Sequence, residues 1–207
     1  MASRKGLFIT FEGSEGSGKS TQMELIGQYL KDKKKSVLFV REPGGVSISE
    51  KIRGILLDAG NKAMAPSCEM LLYMAARAQL VEEVIAPALN KGKVVICDRF
   101  LDSTVVYQGY GHQMDVAFIK KVGAFATQGI KPDLTFIFDI EAKKGLARIK
   151  RAKDRIEQRA MAYHTRVREG YLDIAKKEPK RIKIINSDQS IEDIQQQVRQ
   201  QIDRILG

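Results

Sequence analysis

The chain has 207 residues, of which 43% are hydrophobic and 29% charged, with a formal net charge of +10. That size and balance exclude a disordered chain and fit one soluble globular domain with a full core. The positive excess points either to polyanionic partners, nucleic acid or phosphate-rich small molecules, or to a Lys-rich solvated surface such as KDKKK (31–35).

The first strand-like run is LFITF (7–11), too short for a signal peptide or a membrane span. Helical patterns follow at about 19–33, 47–59, 67–90, 115–128, 142–177 with a break, and 190–206. Between them lie SVLFV (36–40), KVVIC (93–97), LTFIFDI (134–140) and RIKII (181–185), short runs rich in β-branched residues. Their near-continuous apolarity predicts strands covered on both faces. Pro87 and Gly92 punctuate the end of the third helical segment, and Lys131-Pro132-Asp133 reads as a turn into the fourth strand. Strands alternating with helices predict a parallel sheet with helices on both faces and right-handed crossovers. Cys68 and Cys97 are far apart, form no zinc-type cluster, and fit a reducing cytosol, with Cys97 buried in its strand.

Three stretches carry chemistry. GSEGSGKS fits G-x-x-x-x-G-K-[ST], with Gly13, Gly18, Lys19 and Ser20 between a strand and a helix. Backbone N–H groups in such a loop turn inward around a phosphate chain, and the following helix N-terminus adds partial positive charge. Lys19 is expected on the β- and γ-phosphates and Ser20 on Mg2+. The motif therefore implies a nucleoside triphosphate. The runs NKAM (61–64) and NKGK (90–93) lack the Asp of a guanine-reading N-K-x-D, which counts against a GTPase.

REPGG (41–45) forces a sharp turn at the end of the second strand, the edge where open α/β sheets bind ligands. LLYMAAR places Tyr73 and Arg77 four apart on one helical face, suited to stacking a planar base and bonding its edge, or else to plain core for Tyr73. DRFLDSTVVYQGYG (98–111) sets Asp98 where a second metal-holding carboxylate is expected. Arg99 offers a planar fork for a monophosphate, and a crowd of hydroxyls, an amide and aromatics follows.

Together with EKIR, LLYMAARAQLVEEVIAPAL, PDLTFIFDI and DRIE…RVREGYL, these stretches make the chain resemble the bacterial thymidylate kinases over about residues 6–206. The resemblance implies transfer from ATP to dTMP with Mg2+. It also implies a three-layer α/β fold of the P-loop nucleoside monophosphate kinase type, with five parallel strands in the order 2-3-1-4-5, as one domain spanning 1–207. A homodimer and cytoplasmic residence come with it. Within the phosphate loop it implies ATP contacts from Gly13, Ser14, Glu15, Gly16, Ser17, Gly18, Lys19, Ser20 and Thr21, with Glu15 also near acceptor and metal. On the acceptor side it implies Glu42 and Pro43 in the turn, and Arg53 and Arg99 on the monophosphate. Tyr73 stacks on thymine where the family usually has Phe, Arg77 contacts a thymine carbonyl, Thr104 and Gln108 read the base edge, and Ser103 belongs to the dTMP site. Tyr107 crowds a 2′-hydroxyl. Ser20 and Asp98 are the metal residues. A mobile lid at about 148–160 carries KRAKDRIEQR; because positions 14–17 lack an Arg, the lid supplies one, Arg155 first and Arg151 second. Arg159 stands where the family often has an acidic residue, and Tyr163 where it often has Phe.

His112 and His164 read as loop or surface residues, since an acceptor phosphate already anionic needs no strong base. Two other readings stand beside this one. One is a different nucleoside monophosphate kinase on the same scaffold. The other is a nucleic-acid-dependent ATPase, disfavoured because the basic residues form no stripe interleaved with aromatics. Neither nucleic acid nor membrane is an expected partner.

Overall fold

The computed structural model describes residues 6–206; of the expected unit 1–207, residues 1–5 and 207 lie outside the described residues. Five strands, β1 (Leu7–Gly13), β2 (Val37–Arg41), β3 (Val94–Asp98), β4 (Leu134–Asp139) and β5 (Ile182–Asn186), form one sheet in the order β2-β3-β1-β4-β5. Every neighbouring pair is parallel. The strand pleat sends alternate side chains to opposite faces. Ile9, Phe11, Ile96, Phe136 and Phe138 meet α1 (Lys19–Asp32) and α9 (Ile191–Leu206) through Met23, Ile26, Leu30, Ile194, Val198 and Ile202. Phe8, Val95 and Cys97 face the other way, onto Leu80, Val81, Ile85 and Phe100. Coverage on both faces holds for β1, β3 and β4. The edge strands depart from it, with Phe39 of β2 40% exposed and Ile184 of β5 45% exposed.

The third helical segment is interrupted. α3 (Pro66–Leu80) passes through a π-helical turn (Val81–Ile85) into α4 (Ala86–Asn90), so Pro87 lies inside the run and Gly92, at φ 77°, follows its end. A wider turn accommodates a residue that has no N–H to give to the ladder. The 98–111 stretch, for which the sequence predicted no helix, is also helical: α5 (Leu101–Thr104) opens into a second π-helical turn (Val105–Gly111). Its two valines and two glycines hide the 3.6-residue period, and π turns of this kind cluster at functional sites. Then come α6 (Val116–Ala126), capped by the Asp115 carboxylate on Ala117 and Phe118 N–H, α7 (Ala142–Ala147) and α8 (Met161–Lys177). Residues 148–160 join α7 to α8 without regular structure. α2 (Ser47–Leu57) packs beside α3. His164 corrects its expected surface placement: it is 2% exposed, on the α8 face that also buries Val167, Tyr171 and Ile174.

Candidate active site

The strand register brings the chemistry together. Asp98 aligns with Phe11 of β1 and with Arg41 of β2, and Gly13 with Phe138 of β4. The phosphate loop, the 41–45 turn and the 98–111 segment thus leave the sheet at one edge. They surround a cavity of about 500 Å³, and Arg148, Ile149, Lys150 and Arg151 of the 148–160 segment also line it.

The loop is shaped by backbone that only glycine accepts readily. Gly13 has φ 131°, and a Cβ there would sit 2.5 Å from the Phe138 carbonyl oxygen. Gly16 has φ 67°, and a Cβ would sit 2.1 Å from the Gly145 carbonyl oxygen, so α7 packs directly on the loop. Lys19 is 8% exposed, and its Nζ donates to the carbonyls of Gly13 (3.1 Å) and Ser14 (3.0 Å). Burial first, then the Arg99 charge, pushes its pKa down to about 8. Ser14 and Ser17 are buried in the loop, while Gly18 and Ser20 are exposed at its mouth, as is Thr21.

Arg99 organises the centre. It has φ 67°, a left-handed backbone that a non-glycine side chain adopts only where its surroundings impose it. One amino group donates to Glu15 Oε1 (2.9 Å). The other donates to the Gly13 carbonyl (2.9 Å) and meets the Tyr171 hydroxyl at 3.2 Å. The Tyr107 hydroxyl donates to the same Glu15 oxygen at 2.7 Å, and the guanidinium lies 5.1 Å from the Tyr107 ring centre. Burial works to raise the Glu15 carboxyl, but Arg99, Lys19 and Tyr107 together hold it below the usual range. Glu15 therefore takes Arg99 and Tyr107 as direct partners and lies within the field of Lys19.

Behind this centre stands Glu12, whose role the sequence reading missed. The strand continues past Phe11, so Glu12 is fully buried. Its carboxylate accepts from Phe100 N (2.7 Å), Ser103 Oγ (2.5 Å) and Tyr171 Oη (3.0 Å). These bonds fix the start of the 98–111 segment and bring Tyr171 of α8 to Arg99. A glutamate directly before the phosphate loop, at the end of an apolar run, was the available signal. Ser103, expected in the dTMP site, lines the cavity and donates its hydroxyl to Glu12.

The residues expected on the base side, Tyr73, Arg77, Thr104 and Gln108, line the cavity from two facing helical stretches. Glu69, Tyr73 and Arg77 recur every four residues on α3, and Thr104, Gln108 and His112 do so opposite. Arg77 is 1% exposed and donates to Glu42 Oε2 (2.8 Å), Thr104 Oγ1 (2.9 Å) and the Phe100 carbonyl (3.1 Å). Burial raises the Glu42 carboxyl against the pull of Arg77. Arg53 donates to the Pro43 carbonyl at 2.7 Å, and both line the cavity with half-buried Tyr73.

Arg155, the first choice for a lid cation on the phosphates, is not brought to the cavity. It is 6% exposed, donates to the Leu56 carbonyl (2.8 Å) and lies 2.6 Å from Glu69 Oε2. A buried carboxylate needs a partner, and Arg155 is the nearest strong one. Arg151, the second choice, lines the cavity together with Arg148, and it pairs through both amino groups with Glu157 (2.7 and 2.8 Å). Arg159 donates to Glu69 Oε2 at 2.7 Å and lies 4.9 Å from the Tyr163 ring centre.

Asp98 and Ser20 both line the cavity, and Asp98 Oδ1 is buried without a hydrogen-bond partner. An orphaned carboxylate oxygen beside a phosphate loop fits a cation that travels with phosphates. Among the described residues no group of three or more His, Cys, Asp or Glu forms a cage. Mg2+ bound with a triphosphate needs only one or two protein oxygens, so the pair fits it.

The sequence matches the family profile described as thymidylate kinase over residues 11–198. A thymidylate kinase of Symbiobacterium thermophilum is 45% identical over 97% of this chain and 94% of its own length. One of an Exiguobacterium strain is 49% identical over 93% and 92%. The crystal structure of thymidylate kinase from Ehrlichia chaffeensis superposes with a TM-score of 0.79 at 34% identity, covering 95% of this chain and 98% of that one. With profile, relatives and fold in agreement over nearly the whole length, the chain belongs to the thymidylate kinase family.

Proposed function

We propose that this chain transfers the γ-phosphoryl group of ATP to dTMP, giving dTDP, and that the two sides of its cavity divide the work. The observation that carries this reading is the meeting of Lys19, Arg99, Glu15 and Tyr107 between a phosphate loop and a base-sized wall. The loop residues 13–21 hold the donor phosphates, with Lys19 on the transferring end. Arg99 and Arg53 hold the acceptor monophosphate, and Arg99 gives up its pairing with Glu15 as that anion arrives. Mg2+, held by the Ser20 hydroxyl and Asp98, offsets charge on the phosphates when bound. Tyr73 stacks the base, Arg77 with Thr104 and Gln108 reads its edge, and Tyr107 lies against the sugar. The acceptor oxygen is an anion at neutral pH, so Glu15 need not remove a proton; it orients Arg99 and Tyr107.

The 148–160 segment acts as the lid, and Arg151 is its cation on the transferring phosphoryl group. Closure excludes water, which otherwise takes the phosphoryl group instead of dTMP. Replacing Arg151 by Ala is expected to lower kcat about a hundredfold, on the scale of losing one preorganised charge donor. Replacing Arg155 is expected mainly to lower thermal stability. A full loss of kcat in R155A with normal turnover in R151A, in steady-state assays, reverses the assignment.

Association as a homodimer is part of the proposal. Ile48, Ile55, Leu71 and Phe118 are each about half exposed on the adjacent helices α2, α3 and α6, an apolar face of the kind that pairs copies of a chain. Sedimentation that gives a monomer mass at micromolar concentration removes it.

A further inference from the structure

Glu69 touches neither cavity nor surface, yet four groups converge on it. Its side chain is 0% exposed on α3, one turn before Tyr73. Oε1 accepts from Gln108 Nε2 at 2.8 Å and lies 3.1 Å from His112 Nε2. Oε2 accepts from Arg159 at 2.7 Å and lies 2.6 Å from Arg155. Burial alone pushes such a carboxyl up, but His112, Arg159, Gln108 and Arg155 outweigh it and hold Glu69 at about 2. It is therefore a carboxylate, a group that only accepts hydrogen bonds.

That fact decides how Gln108 lies. An amide is symmetric in shape but not in chemistry, and its partner determines which end faces which way. With Nε2 turned to Glu69, the atom left for the cavity that Gln108 lines is Oε1, an acceptor. An acceptor there pairs with a base that presents a ring N–H, as thymine and uracil do at N3. Cytosine presents a bare acceptor at N3 and is repelled.

We propose that Glu69 is a positioning residue for base choice: it locks the Gln108 amide with its carbonyl toward the base, and so selects pyrimidines that carry an N3–H. This rests on the reading of Gln108 as base-facing. The lock is also tied to the lid, because Arg155 and Arg159 sit at the lid's root on the same carboxylate. Arg159, where the family often has an acid, gives Glu69 its second cation.

The test compares kcat/KM for dTMP and dCMP in wild type, E69Q, E69D and Q108L, with ATP and Mg2+. A glutamine at 69 can donate as well as accept, so Gln108 is free to turn over. The dTMP/dCMP ratio is expected to fall about tenfold or more in E69Q, mainly through a higher KM for dTMP and a lower one for dCMP. E69D keeps an acceptor-only group and is expected to keep the ratio within about threefold, even where the shorter side chain weakens the fold. A merely structural role lowers both substrates alike and leaves the ratio unchanged in both variants, which overturns the proposal. If Q108L leaves the ratio unchanged, the base-facing reading of Gln108 fails and the inference with it. If Q108L collapses the ratio and E69Q does not, the inference alone is overturned. Should E69Q not fold, hydrogen exchange of the Gln108 side-chain NH2 in the wild-type protein decides, with its signals assigned by their loss in Q108L. Protection without dTMP supports the lock, and free exchange overturns it.

Discussion

Replacing Lys19 by Ala will reduce kcat about 10²- to 10³-fold or more while the protein stays folded. The chemistry has little covalent work for the protein to do, so rate comes from position and from charge placed where the transferring group gains it. Lys19 is the buried cation of the phosphate loop, wrapped by the Gly13 and Ser14 carbonyls that aim its amine at the cavity. No neighbour substitutes for it: Arg99 is directed to Glu15 and Gly13, Arg148 to the Gly16 carbonyl and Arg151 to Glu157. Removing a buried charge whose pKa is already depressed costs little stability, and Lys19→Ala is expected to melt no lower than wild type. Steady-state turnover with calorimetric melting checks both halves. Turnover within threefold of wild type contradicts the placement of the donor phosphates.

Replacing Arg99 by Ala will lower kcat/KM for dTMP about 10³-fold, through a lower kcat and a higher KM. Arg99 is built into the site from three sides, through Glu15, Gly13 and Tyr171, on a backbone conformation that costs energy to hold. Strain of that kind persists where the residue is needed in one position. Lys in its place keeps the charge but not the planar fork, so R99K is expected to recover only a small part of the loss. An R99A enzyme with unchanged KM for dTMP moves the acceptor phosphate elsewhere, and Arg53 becomes the remaining cation on that side.

The parts that were legible in the sequence share a property: their chemistry is dictated by backbone. The phosphate loop needs glycines at fixed offsets, and the alternation of strands and helices follows from burial on a twisted sheet. The order β2-β3-β1-β4-β5 came through the family resemblance and agrees with the structure. What was hidden depends on where a charge finds its partner. Glu12 was hidden because its strand seemed to end one residue earlier. Glu69 was hidden because an acid in the first turn of a helix normally just answers the helix dipole, whereas here it is buried against two arginines. That same pairing diverts Arg155, which by sequence looks as available to a phosphate as Arg151. The 98–111 segment gave its side chains away but not its helix. Tyr107 and Gln108 lie in its π turn, and both line the cavity.

The most direct test of the account is a panel of acceptors given to the wild-type protein with ATP and Mg2+, with initial rates measured for dTMP, dUMP, UMP, CMP, AMP and GMP. The account predicts dTMP first and dUMP within about a hundredfold of it, because a single methyl separates them. It predicts UMP well below dUMP through Tyr107, and CMP, AMP and GMP near background. Turnover of CMP, AMP or GMP equal to or above that of dTMP contradicts the account.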